Sequence, residues 1–156
     1  MLKEYYSDLS KPILDYGGEI YQYVGDEIVI TWKVEKEFAE NVLGCFFAMK
    51  QVIKKRHYSY KLKYGLVPTF KAGVHYGQVT TGEIGLIKKD IVFTGDTLNA
   101  TARIQGLCNQ YDVDLLVSAI FKDSVESSDS YAFELLGEVE LRGRNQPIEL
   151  YSVRQN

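Results

Sequence analysis

Three places in this 156-residue sequence combine residue types and spacings suited to chemistry on a phosphorylated ligand. Gly25-Asp26 stands between two strand-forming runs, so a tight turn presents the Asp26 carboxylate at its tip beside Glu27, a position from which to hold a hard divalent cation. Gly-Asp is equally a common structural turn pair. Asn99 and Arg103 are four residues apart, which stacks them on one side of a helix, away from its apolar stripe. An amide and a guanidinium near the start of a helix can grip a ribose and a phosphate together, and a solvated polar face is the plainer alternative. Arg142, within Leu141-Arg142-Gly143, falls where two late strands join and can extend its fork toward a polyphosphate, or simply be an exposed strand-end arginine. His75, between Val74 and Tyr76 in an alternating segment, reads as a packed or hydrogen-bonded structural histidine rather than a base.

The elements that must position these groups follow from hydrophobic periodicity. Leu2, Tyr5, Tyr6, Leu9, Ile13 and Tyr16 recur at helical spacing until Gly17-Gly18 ends the run. A hairpin follows, with Ile20, Gln22 and Val24 in its first arm and Ile28 to Trp32 in its second. From Glu35 to His57, Phe38, Val42, Cys45, Phe46, Met49 and Ile53 predict one long amphipathic helix, closed by the cations Lys54, Lys55 and Arg56, which favour the negative end of its dipole. Strands are predicted from Phe70 to Tyr76, through Ile84 and through Phe93. Asp96 then caps a helix with Ala100, Ile104, Leu107, Cys108 and Tyr111 on its core stripe. A strand at Leu115 to Val117, a short helix opening at Ser118, and strands at Phe133 to Leu136, Val139 to Leu141 and Ile148 to Val153 complete the chain. Strands and helices mix without strict alternation, which predicts an α+β fold with helices on one face of a mainly antiparallel sheet.

Composition narrows the partners. With 46% hydrophobic and 25% charged residues the chain is of ordinary globular type, and its length suits one domain spanning 1–156. A net charge of −3 gives no basic excess for nucleic acid. Cys45 and Cys108 fall on apolar helix faces without CxxC spacing, as buried reduced thiols do. There is neither a membrane-length apolar run nor a signal-peptide pattern, so the segment reads as cytoplasmic with no membrane contact, whatever other parts a larger polypeptide carries.

In order and spacing these segments resemble the class III adenylyl and guanylyl cyclases. The resemblance is carried by Gly17-Gly18-Glu19-Ile20 leading to Val24-Gly25-Asp26, by Ala72-Gly73-Val74-His75-Tyr76-Gly77, by Thr94-Gly95-Asp96-Thr97-Leu98-Asn99-Ala100-Thr101-Ala102-Arg103, and by Leu141-Arg142-Gly143 with Tyr151 in the last strand. It implies a ferredoxin-like cyclase palm in which Asp26 matches the second of two metal-binding aspartates. Asn99 and Arg103 match the pair that supports the ribose and the transition state, and Arg142 matches the phosphate-binding lysine. Gln22 and Val92 align with the purine-selecting positions. The implied reaction is attack of a ribose 3′-oxygen on the α-phosphorus of a nucleoside triphosphate, with pyrophosphate leaving. It is assisted by two Mg²⁺ or Mn²⁺ ions at a site built across a head-to-tail homodimer, with an upstream sensory or regulatory domain in the parent protein.

The resemblance also sets expectations where the sequence departs from the family pattern. No counterpart of the family's opening strand and helix, which bear the other metal aspartate, precedes Met1, and Asp8 and Asp15 sit on the leading helix where they cannot replace it. The chain by itself is therefore expected to turn over weakly or not at all. Gln22 both donates and accepts hydrogen bonds and so does not choose a purine by its own chemistry; ATP is preferred over GTP on the prior for bacterial-looking members. Two other readings stand beside this one. A cyclase-homology module would dimerise or regulate without turnover. A diguanylate cyclase is suggested by the turn Gly25-Asp26-Glu27, but that family lacks the Asn99/Arg103 pair and the Leu141-Arg142-Gly143 join.

Overall fold

The computed structural model describes residues 1–77, 97–127, 129–141 and 145–156 in full, and the backbone alone of 80–84, 90–94 and 96. The chain forms two compact units, Met1–Phe70 and Lys71–Asn156.

In the first unit the order is α1 (Leu2–Asp15), β1 (Glu19–Val24), β2 (Glu27–Thr31), α2 (Phe38–Lys55) and α3 (His57–Tyr64). Helix α1 carries Tyr5, Leu9 and Ile13 at intervals of four, and these pack with Cys45, Met49 and Ile53 of α2 and Tyr60 of α3. Ile13 and Cys45 are fully buried, and each large apolar side chain removed from water in this way contributes about 1.5–3 kcal/mol. Two glycines stop α1 as the sequence predicts. Gly17, at φ +77°, donates its N–H to the Leu14 carbonyl at 3.1 Å, and Gly18 reaches back to that of Ile13 at 2.9 Å. Gly18 also lies under Trp32, where a Cβ would sit 2.7 Å from the indole ring.

The long helix expected over Glu35 to His57 is α2, and a further helix that the periodicity did not predict, α3, follows it. α2 ends at Lys55, and Arg56 turns the chain into α3. The Arg56 guanidinium explains the break, because it reaches back to α1. One nitrogen donates to both Asp8 oxygens at 2.7 and 2.8 Å, the other to Glu4 at 2.5 Å. Tyr60 of α3 donates to Asp8, while Tyr64 and Lys63 donate to Glu4 at 2.5 and 3.1 Å. These donors, led by the Tyr64 hydroxyl, hold the Glu4 carboxyl down at about 2.

In the second unit the order is β3 (Ala72–Val74), β4 (Thr80–Ile84), β5 (Asp90–Thr94), α4 (Asp96–Gly106), α5 (Cys108–Tyr111), β6 (Leu115–Ser118), α6 (Ala119–Lys122), β7 (Tyr131–Val139) and β8 (Ile148–Gln155). β4 and β5 form an antiparallel pair, and the other four strands form a sheet in the order β3-β6-β8-β7. Only β3 and β6 run parallel, so the sheet is mainly antiparallel as expected. β6 is buried along its whole length. Its Leu116 packs with Leu150 of β8, Val139 of β7 and the stripe Ala100, Ile104 and Cys108 from α4 and α5. The strands expected separately at Phe133 and Val139 are one strand, β7, carried past a register shift between Leu135 and Gly137.

Candidate active site

The β1–β2 hairpin carries Gln22 and Asp26. Val24 pairs with Glu27, leaving Gly25-Asp26 as a two-residue loop. Gly25 takes φ +61° and Asp26 does not share the left-handed region, the pattern of a type II′ turn that needs glycine first. Asp26 is thereby held at an exposed tip. The register shifts between Ile20 and Gln22, and Gln22 emerges exposed opposite Val29.

Sequence spacing did not reveal what backs this tip. The Tyr6 hydroxyl of α1 donates to the Gly25 carbonyl at 2.6 Å, and its ring lies 4.7 Å from that of Tyr23 on β1. Burial raises the Tyr6 hydroxyl's pKa and pushes that of Tyr5 up to about 12, and the Asp26 charge adds to both shifts. The helical position of Tyr6 gave it the look of an ordinary stripe residue; only the return of β1 beside α1 distinguishes it.

In the second unit Asn99 and Arg103 lie exposed on α4 while Ala100 and Ile104, one residue further along, are buried. The helix therefore separates a packing face from an exposed polar face, as the four-residue spacing predicts. One Arg103 nitrogen donates to the Glu140 carbonyl at 2.5 Å, which aims the guanidinium; with five N–H donors it is not exhausted by that bond. Two glycines let α4 lie where it does. A Cβ on Gly73 of β3 would run into the backbone of Gln105, and one on Gly77 would sit 2.8 Å from Thr97 Oγ1. The glycines of Ala72-Gly73-Val74-His75-Tyr76-Gly77 thus act as a seat for the helix that presents Asn99 and Arg103. His75 bonds through Nδ1 to the buried Ser118 hydroxyl at 2.8 Å, and Ser118 also accepts the Phe121 N–H at 3.3 Å as the cap of α6. This is the structural role expected of His75.

The backbone of Val92 pairs with Gly82 across β4 and β5. Arg142 lies outside the described residues. Among the described residues no three His, Cys, Asp or Glu side chains gather as a ready-made metal cage. An exposed aspartate at a fixed turn nevertheless fits a magnesium-like ion, which takes one or two protein carboxylates and fills its remaining positions with water and substrate phosphates. No helix among the described residues is long and apolar enough to cross a membrane.

Comparison with known proteins bears on this arrangement. The family model described as the adenylate and guanylate cyclase catalytic domain matches residues 1–155. Adenylate cyclase 2 of Rhizobium meliloti (strain 1021) is 35% identical over 153 residues, covering 97% of this chain and 42% of the relative. The chain spans less than half the length of this and other curated relatives that it matches. In fold it is similar to the adenylyl cyclase CyaB from P. aeruginosa, with a TM-score of 0.80 at 21% identity over 99% of this chain and 81% of that one. It is similar also to the guanylyl cyclase Cya2, with a TM-score of 0.76 at 20% identity over 97% and 77%. Cyclases named for either purine thus share the fold, and the match across nearly every residue places this chain in the adenylate and guanylate cyclase catalytic domain family.

Proposed function

We propose that residues 1–156 act as one nucleotide cyclase catalytic domain, which converts a nucleoside triphosphate, ATP in preference to GTP, into the 3′,5′-cyclic monophosphate and pyrophosphate. The observation that carries this reading is the family match over residues 1–155. The 35% identity to a protein named an adenylate cyclase favours ATP.

Asn99 orients the ribose so that its 3′-oxygen faces the α-phosphorus. Arg103, aimed by its bond to the Glu140 carbonyl, offers its remaining N–H groups to the charge that grows on the α-phosphoryl oxygens. Arg142 holds the outer phosphates, and Gln22 and Val92 border the purine. Asp26 supplies carboxylate oxygen to metal. When bound, two divalent cations, Mg²⁺ or Mn²⁺, lower the pKa of the attacking hydroxyl and neutralise the leaving phosphates. The 3′-oxygen to phosphorus bond forms as the bond to pyrophosphate breaks, and the hydroxyl proton leaves to solvent, so no protein nucleophile is needed.

The domain works as a head-to-tail homodimer in the cytoplasm, under an upstream sensory or regulatory domain. To test this, the chain and the longest polypeptide that carries it are incubated with ATP or GTP and Mn²⁺ or Mg²⁺, and cyclic product is measured beside Asn99→Ala and Arg103→Ala. Product from one triphosphate by the longer polypeptide, weak or absent with the chain alone and reduced about 10²–10³-fold in both variants, is the expected outcome. A folded dimer of the longer polypeptide that binds nucleotide without making product from either would replace this reading with that of a regulatory module.

A further inference from the structure

From the geometry of the first unit we infer that Tyr6 is a positioning residue for Asp26, fixing the metal-bearing turn through its hydrogen bond to the Gly25 carbonyl; this rests on the metal role proposed for Asp26.

A two-residue hairpin loop is a natural place for fraying, since it lies at the end of a ladder with no strand beyond it. β1 and β2 form a sheet of two strands, and the outer end of β1 is exposed at Gln22, Tyr23 and Val24. Within the hairpin, Gly25 lies beyond the last ladder pair, Val24 with Glu27. Tyr6 adds a tie from outside, with a hydroxyl 2.6 Å from the Gly25 oxygen and a ring 4.7 Å from that of Tyr23. Phenylalanine in its place would keep the ring and its packing but leave the carbonyl without this donor.

Helix α1 is itself held in register for this task, because three neighbouring positions face three ways. Glu4, with Asp8 one turn on, is bound by Arg56. Tyr5, 7% exposed, enters the core with Leu9 and Ile13. Tyr6 is left pointing at the hairpin. A rotation of α1 that freed Tyr6 would also break the Arg56 pairs and expose Tyr5. The turn is therefore tied to a helix that is itself anchored by the Arg56 pairs and by Tyr5 in the core.

Tyr6→Phe provides the test, with Tyr60→Phe as a control that removes a hydroxyl from the opposite side of α1, and Asp26→Ala as the metal reference. Two quantities are read on the protein: backbone amide order parameters across residues 24–27 without metal, and the broadening of those amides by Mn²⁺ alone. Tyr6→Phe is expected to lower the order parameters at Gly25 and Asp26 and to raise the Mn²⁺ concentration for half-maximal broadening about three- to tenfold, the size of one lost hydrogen bond. Tyr60→Phe should change neither, though it lowers thermal stability. Unchanged turn dynamics and Mn²⁺ response in Tyr6→Phe, with the response lost in Asp26→Ala, would overturn the positioning role alone. Equal broadening in the wild type and Asp26→Ala would overturn the metal role of Asp26 and the positioning role with it.

Discussion

The two units present their candidate chemistry by different physical means. In the first, the Asp26 turn stands at an exposed hairpin end and is steadied by polar contacts: the Tyr6 bond, and behind it the Arg56 pairs to Glu4 and Asp8. In the second, Asn99 and Arg103 ride on a helix whose other face is sealed into the sheet by Ile104 and Leu116, both fully buried, and by the close approach at Gly73. The first arrangement responds to charge and pH, whereas the second responds to volume. A turn held by hydrogen bonds can adjust to a ligand, while a helix seated on a strand keeps its side chains where packing put them.

The largest expected effect lies in the packed unit. Leu116→Ala should cost about 2–5 kcal/mol in chemical denaturation, and a loss below 1 kcal/mol would show that volume does not govern this unit. Gly73→Ala comes next, at about 1–3 kcal/mol, because the new methyl meets Gln105 backbone rather than a side chain able to swing away.

In the first unit the decisive variable is acidity. Glu4 is held below its ordinary 4.5, at about 2, so its ionised form binds more tightly in the folded state. That contribution is fully present above about 4.5 and is lost as pH falls toward 2. Glu4→Gln should therefore reduce stability at neutral pH and flatten its fall across this window; a variant curve parallel to the wild type would remove the network from the account. The smallest effect belongs to Asn99→Ala, an exposed position expected to change stability within about 0.5 kcal/mol. A larger loss would mean that Asn99 serves the fold.

Much of this was legible before the structure. Gly17-Gly18 stopped α1, Gly25-Asp26 made the hairpin loop, and Ser118 capped a short helix, since each depends on residues close in sequence. Asn99 and Arg103 fell on the open side of α4 for the same reason. What escaped notice depends on distant partners. Arg56 looked like one cation of a helix-ending run, but its carboxylates are 48 and 52 residues away. Helix α3 hid because Tyr60 is its one buried residue, while Tyr58 and Leu62, 77% and 76% exposed, blur any amphipathic pattern. Gly73 looked like part of an alternating strand until α4 lay upon it, and Tyr6 looked like part of a core stripe until β1 came back beside it.

The strand order β3-β6-β8-β7 has a consequence for the birth of the protein. β8, the last strand in the chain, lies inside the sheet between β6 and β7. On a ribosome adding roughly 5–20 residues per second, β3 and β6 emerge seconds before the strand that joins them to β7. Until Ile148–Gln155 arrives, the inner edge of β6 has no neighbour, and its wholly apolar run Leu115-Leu116-Val117 is open to whatever strand comes first. The first unit has all its elements in hand by Phe70, but the helix that bears Asn99 and Arg103 must wait for nearly the whole chain before its seat is complete.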